Sequence, residues 1–326
     1  MDFPVYIHVG SLRIHPHVLF EALAYFIGFR IYLWTRRPSG MSKLVSLQIL
    51  AGTILGAAIG SKVLFWLEDP AATWAAFSQG HFLWGGKTIV GGLLGGLIGV
   101  ELAKKWAGWK SSTGDDFAYP MLIGIAIGRI GCFLTGLDDH TYGTATSLFT
   151  GVDFGDGVLR HPTQLYEMGF LIVLGIVLYP MYRQSRASWK KETASIATVS
   201  SPAIKTGTAQ GIAPATERAA TSVSTTTTSS EAHAPLSLSP LSADHITKDT
   251  NVSSGYVSGR LFQWFMFGYL GFRLLIEFIK PTLHPYWGLN NIQLACIAGL
   301  IYYSWLLLKG RGDLLRRQTT RANMAK

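Results

Sequence analysis

The sequence predicts an all-α polytopic membrane protein with seven transmembrane helices, its N-terminus outside and its C-terminus in the cytoplasm. Three observations carry that expectation. Of 326 residues, 48% are hydrophobic and only 14% are charged, with a mean hydropathy of +0.27; soluble domains carry about 25% charged residues. Seven segments are apolar over the roughly 20 helical residues that a 30 Å hydrocarbon core requires. Lysine and arginine alternate between the loops, rich in one and sparse in the next, as the positive-inside rule demands.

The first segment, Val18–Trp34, follows "MDFPVYIHVGSLRIHPH", which lacks a basic region and a small-residue cleavage site, so it is expected to be retained. The basic "TRRPSGMSK" leads into Leu44–Leu67, and "EDPAATWAAFSQGHFLWGGK" separates that segment from Thr88–Trp106. These two spans hold "GTILGAAIG" and "VGGLLGGLIG", whose small residues recur four apart and let helices approach closely. Neither is a phosphate loop, because no Lys-Ser/Thr pair or strand context follows. After "KKWAGWK" the fourth segment, Phe117–Gly136, carries "AIGRIGCFL", with Arg129 in its midst. The weakly acidic loop "LDDHTYGTATSLFTGVDFGDGVLRHP" should be ordered, and Pro162 suits the start of the fifth segment, Gln164–Met181. "YRQSRASWKK" then opens a Ser/Thr/Ala-rich stretch that cannot bury enough apolar surface to fold and is expected to be an unstructured cytoplasmic loop. Leu261–Lys280 and Leu289–Leu308 complete the set, and a basic tail ends the chain. The expected organisation is therefore helices one to five over 1–184, the loop over 185–258, helices six and seven over 259–310, and the cytoplasmic tail over 311–326. The net charge of +9 is a topology signal, and nucleic-acid binding is not expected.

Orientation assigns each ionisable residue a depth. An arginine at the centre of a membrane helix costs about 2.5–3.5 kcal/mol on insertion scales. At 1.5 Å per residue Arg129 lies about 10 Å below the outer end of its helix. Lys62, Arg273, Glu277, Glu21 and Glu167 fall at a similar depth, so six charges from five helices share one outer-leaflet layer. Ionisable residues at such depth usually face a cavity or substrate path rather than lipid. Two guanidiniums suit a phosphate, to which each can donate parallel hydrogen bonds. The ligand that brings a phosphate to that depth is a phospholipid, and a headgroup site open to the outer leaflet follows.

The loop adds further candidates. His161 could accept a proton or cap a helix, while Gln164, Tyr166 and Glu167 lie on the first turns of the fifth helix. Asp138, Asp139 and His140 adjoin one another, but neighbouring carboxylates point in different directions, so no metal is expected there. Cys132 and Cys296 both fall in apolar runs and support neither a disulfide framework nor a cysteine metal site. No cofactor is implied.

"GRIGCFLTG", "RHPTQLYE", "VGGLLGGLIG" and "FRLLIEFIK" together resemble the prolipoprotein diacylglyceryl transferase family, over roughly residues 10–184 and 259–310. The resemblance implies a multi-pass enzyme of the bacterial inner membrane, its active site facing the outer leaflet. Such an enzyme moves diacylglycerol from phosphatidylglycerol to the lipobox cysteine in the signal peptide of a precursor lipoprotein, releasing glycerol phosphate. It further implies that Arg129 and Arg273 stabilise the phosphate while Glu277 orients one of them, and that Gly143 matches a loop glycine. Gly128, Cys132, Gly143, His161, Gln164, Tyr166, Glu167 and Lys62 form the expected substrate-binding set. The chain departs from the family pattern at five positions. Val90 stands where a histidine precedes the Gly-Gly of the third helix, Cys132 and Thr135 where asparagines stand, Leu137 where a glutamate stands, and His17 where a tyrosine stands.

The chemistry needs a thiolate, an electrophilic glycerol carbon and a stabilised phosphate leaving group. His17, Glu21 and His161 are candidates to take the thiol proton, His17 and Glu21 being favoured because they lie on the helix that lacks the family's tyrosine. The alternatives are the same phospholipid donor with a different acceptor, and a lipid-binding relative without turnover.

Overall fold

The computed structural model describes residues 3–37, 40–78, 86–200 and 257–324. Its helices are α1 (Pro16–Thr35), α2 (Lys43–Trp66), α3 (Pro70–Ser78), α4 (Ile89–Trp106), α5 (Ala118–Thr135), α6 (Thr163–Ser200), α7 (Arg260–Ile276) and α8 (Asn291–Met324). Two small antiparallel hairpins accompany them, β1 (Ile7–Val9) with β2 (Leu12–Ile14) and β3 (Val152–Asp153) with β4 (Leu159–Arg160).

Local sequence accounts for several helix ends. Pro16 occupies the first turn of α1, where its missing N–H is no loss. The Ser42 hydroxyl accepts from the Val45 N–H to cap α2. Lys104 and Lys105 close α4 against its negative C-terminal dipole. Gly136, at φ +73°, ends α5 in a conformation that L side chains avoid. The buried Asp115 carboxylate accepts from the N–H groups of Gly259 and Phe262, at 2.8 and 3.2 Å, and so caps α7 from a distant part of the chain.

Among the described residues, six helices are long and apolar enough to cross a membrane: α1, α2, α5 with its flanking turns, the Thr163–Lys191 part of α6, α7 through Ile279, and α8 through Gly310. Seven were expected. The segment missing from that set is α4, an 18-residue helix whose last two turns hold Glu101, Lys104 and Lys105. It nevertheless packs along α2 at backbone contact. A Cβ on Gly56, Gly60, Gly91, Gly95 or Gly99 would collide with a carbonyl oxygen of the facing helix. The repeated small residues in both helices are the reason for that approach.

Two further boundaries differ from the sequence reading. Helix α6 continues past Met181 to Ser200, with Pro180 inside it, so residues 185–200, expected to be unstructured, are helical. Likewise α8 runs on to Met324 through the stretch expected to be a tail. The rest of the expected cytoplasmic loop, 201–256, lies outside the described residues.

The buried core forms where α5, α6, α7 and α8 meet, around Leu122, Leu171, Leu174, Phe265, Met266, Tyr269, Leu270, Cys296 and Tyr303. The outward faces of α1, α2 and α6 expose large apolar side chains such as Phe26, Leu55 and Ile176, as suits lipid contact. Helix α1 packs on α5 and α2 packs on α4. Between these two pairs lies a cavity of about 3150 Å³. Ordinary small-molecule pockets span about 300–1,000 Å³, so this one has room for a ligand with long chains.

Candidate active site at the end of the cavity

At one end of the cavity, charged side chains from three helices converge. Arg129 reaches from α5, Glu167 from the first turns of α6, and Arg273 from α7, with Glu277 one turn further on. All four side chains are at most 5% exposed. Glu167 is their hub: its Oε2 lies 2.9 Å from Arg129 Nε and 3.1 Å from Arg273 Nη1, and its Oε1 accepts from the Tyr269 hydroxyl at 2.6 Å. Arg273 Nη2 donates to Glu277 Oε2 at 3.0 Å, and Lys280 Nζ stands 3.8 Å from the same oxygen. The buried Arg273 Nε and Glu277 Oε1 find no hydrogen-bond partner among the described residues. Lys280 is the first residue beyond its span; burial, with the nearby Arg273 charge, pulls its ammonium down to about 8. Burial likewise raises the Glu68 carboxyl above its usual range in the loop opposite.

A second group lies beside the first. His17 on α1 points Nδ1 at Asp139 Oδ1, 2.6 Å away, and holds Nε2 3.7 Å from Glu21 Oε2. Glu21 pairs with Lys87 and accepts from the Tyr25 hydroxyl at 3.2 Å. Cys132 on α5 faces the same place, and Arg129 Nη1 donates to its Sγ at 3.6 Å, which joins the two groups. The Thr141 hydroxyl donates to Asp139 and accepts from Gln164 Nε2, linking this corner to the start of α6.

The expected layer of six charges thus divides. Arg129, Glu167, Arg273 and Glu277 form one contact cluster, while Glu21 belongs with His17 and Lys87. Lys62 turns away and donates to the Gly86 carbonyl at 3.1 Å. His17, Glu21, Gly128, Arg129, Cys132, Arg273 and Glu277 line the cavity, whereas Lys62, Gly143, His161, Gln164, Tyr166 and Glu167 do not. His161, a candidate proton acceptor, is held instead by the Tyr166 hydroxyl at 3.2 Å, which also meets Thr150 at 2.9 Å. Gly143 serves a close approach: a Cβ there would lie 2.7 Å from His161 Cβ and 2.9 Å from the Ile279 carbonyl oxygen. Its N–H donates to the His161 carbonyl, and the Thr144 N–H to that of Ile279, which ties the loop to the end of α7.

Sequence reasoning missed Tyr269, Lys280 and Lys87, and set Asp139 aside. A signal existed for the first two. Tyr269, Arg273 and Glu277 are spaced by four and Lys280 follows by three, the spacing that aligns side chains on one helical face.

Fold and site together define an α-helical polytopic membrane protein with a buried, predominantly cationic cluster at the end of a lipid-sized cavity. The chain belongs to the prolipoprotein diacylglyceryl transferase family, whose model matches residues 4–200. The match takes in Arg129 and Glu167 and stops before α7, which supplies Arg273 and Glu277. Similar curated proteins carry the name phosphatidylglycerol–prolipoprotein diacylglyceryl transferase. That of Bordetella parapertussis is 34% identical over 196 residues, 55% of this chain and 69% of that protein. Those of Methylobacillus flagellatus and Cupriavidus pinatubonensis are 30% and 31% identical, covering 69% and 70% of their own lengths.

Proposed function

We propose that this protein transfers diacylglycerol from phosphatidylglycerol to the lipobox cysteine of precursor lipoproteins, at a site facing the outer leaflet of the bacterial inner membrane. In this reading the chain crosses seven times, α4 being the third crossing alongside α2, with the N-terminus outside and the C-terminus in the cytoplasm. The observation that carries the function is the charge balance of the contact cluster. Arg129, Arg273 and Lys280 bring three positive charges and Glu167 and Glu277 two negative ones, a net +1 that a phosphodiester, with one negative charge, neutralises.

The geometry supplies the costly part of the reaction. The thiolate lone pair attacks the glycerol methylene carbon, the carbon–oxygen bond to phosphate breaks, and its electron pair leaves on glycerol phosphate. Charge therefore grows on the phosphate in the transition state. Guanidiniums already fixed by Glu167 and Glu277, in a site shielded from water, stabilise that charge without reorganising. Glu167 and Glu277 act as positioning residues, and Tyr269 holds Glu167. Glu21 and His17 line the cavity where the thiol must enter, and they are the candidates to take its proton.

The test is reconstitution of the purified protein with phosphatidylglycerol vesicles and a lipobox peptide. Thioether-linked diacylglycerol and equimolar glycerol phosphate are the expected products. Donor turnover without modified peptide would sink the assigned acceptor, and lipid binding without turnover would sink the enzymatic reading.

A further inference from the structure

The corner formed by His17, Cys132 and Asp139 exceeds what a phosphate site needs. These residues come from α1, α5 and the turn after α5, yet their ligand atoms all lie within 4.8 Å of one another. A tetrahedral zinc ion with bonds of about 2.0–2.3 Å holds its ligand atoms roughly 3.3–3.7 Å apart, so small side-chain shifts suffice. All three residues line the cavity. We infer that His17, Cys132 and Asp139 bind a zinc ion whose fourth position, open to the cavity, receives the thiol of the acceptor cysteine.

Four observations support this. The donor set of one imidazole, one thiolate and one carboxylate suits zinc and disfavours magnesium or calcium, which take oxygen ligands. Three protein ligands with one open position are the arrangement of a catalytic zinc site. Each ligand also has a supporting neighbour. Glu21 Oε2 lies 3.7 Å from His17 Nε2, the Thr141 hydroxyl donates to Asp139, and Arg129 Nη1 donates to Cys132 Sγ. Metal-bound histidines commonly offer their second ring nitrogen to a carboxylate, which fixes the tautomer. Finally, Arg129 belongs to both groups, so a thiolate on the metal would lie within a few ångströms of the phosphate it must displace.

The inference rests on the transferase reading and sharpens it. With His17 engaged by the metal, the incoming S–H bond breaks as the sulfur binds zinc, and the proton passes to Glu21 or to water. A coordinated thiol is deprotonated outright at neutral pH. The zinc-held sulfur then supplies its lone pair to the glycerol carbon, and the thioether product, a weaker ligand, leaves.

The experiment measures metal apart from turnover. Full-length protein in detergent is stripped with a chelator and reloaded with zinc or cobalt(II). One zinc per chain and a thiolate-to-cobalt absorption band are expected in the native protein, and the band should vanish in Cys132→Ser. Thr141→Val, which keeps the ligands but removes the hydrogen bond to Asp139, should weaken zinc affinity about 10- to 100-fold. Adding lipobox peptide should alter the cobalt spectrum as a second sulfur binds. Native protein that retains no stoichiometric metal and shows no cobalt–thiolate band would overturn the site, with no variant involved. A cobalt spectrum indifferent to the peptide would overturn its role toward the thiol. Stripped, metal-free protein that forms thioether at the full rate would also overturn it, while leaving the transferase reading standing. A peptide-sensitive cobalt site in a protein that yields no thioether would uphold the metal and defeat the transferase.

Discussion

Replacing Glu167 with glutamine tests the central geometry, because it keeps shape and removes one charge. In the native site one carboxylate oxygen takes both guanidiniums, at 2.9 and 3.1 Å, and the other takes the Tyr269 hydroxyl at 2.6 Å. The amide has a single acceptor oxygen. If it faces the arginines, Tyr269 loses its acceptor; if it faces Tyr269, the NH2 group confronts two cations. In the better orientation two charge-assisted contacts become neutral ones, at about 1–2 kcal/mol each, so the fold loses about 2–4 kcal/mol. That agrees with the cost of breaking a buried ion pair, about 3–5 kcal/mol. The arginines then lose their fixed direction, and turnover should fall at least about a hundredfold, equivalent to 2.7 kcal/mol of transition-state stabilisation. Thermal unfolding in detergent reports the first effect, and glycerol phosphate release from phosphatidylglycerol the second. An unfolding midpoint within a degree of the native one, with turnover within about twofold, would refute the role of Glu167 as the hub.

Arg129→Lys keeps the charge but loses the fork that reaches Glu167 and Cys132 together; a turnover loss of about 10- to 100-fold is expected, and native kinetics would remove Arg129 from the phosphate site. Lys280, pulled down to about 8, gives two pH effects. Its folded value lies below that of the unfolded chain, so the unfolded state holds the extra proton between about 8 and 10.5, and through that window stability rises with pH. Binding goes the other way: as the ammonium neutralises, the KM for phosphatidylglycerol should climb about tenfold by pH 9, and Lys280→Arg should flatten the rise. A KM independent of pH in the native protein would exclude Lys280 from the anion site. At the α2–α4 seam, Gly95→Val should abolish folded protein because its side chain would enter the Gly56 carbonyl. Gly92→Ala, whose nearest neighbour would be 3.8 Å away, should stay within about 0.5 kcal/mol of native stability. Equal yields from both variants would mean the seam does not hold the helices together.

Much of this was legible in the chain because lipid imposes strict rules on sequence. Apolar length located every described helix that is long enough to cross, and glycine spacing marked α2 and α4 as helices that approach a neighbour closely, without saying that they approach each other. Arg129, Arg273, Glu167 and Glu277 could be found because a charge in a membrane helix is costly and needs a partner. What escaped was pairing. Depth from helix counting resolves position along the membrane normal and says nothing of rotation about the helix axis, so Lys62 looked equivalent to Arg273 until its side chain was seen at Gly86. The loop residues were harder still, since Gly143 and His161 are held by each other and by Ile279 rather than by any periodicity. The length of α6 was missed for a different reason. Its Ser- and Ala-containing stretch lacks an apolar face but continues a helix already nucleated in the core, where each added residue costs little.

Two of the departures from the family pattern, His17 and Cys132, meet in three dimensions. Val90 sits on α4 at 1% exposure and packs with the core, so an imidazole there would have to be accommodated among apolar neighbours. On the opposite wall of the same cavity, α1 presents His17, and α5 with its terminal turn presents Cys132 and Asp139. Cys132 and His17 join Asp139 in one group of donor atoms, within reach of Arg129, whose guanidinium contacts both Glu167 and the Cys132 sulfur.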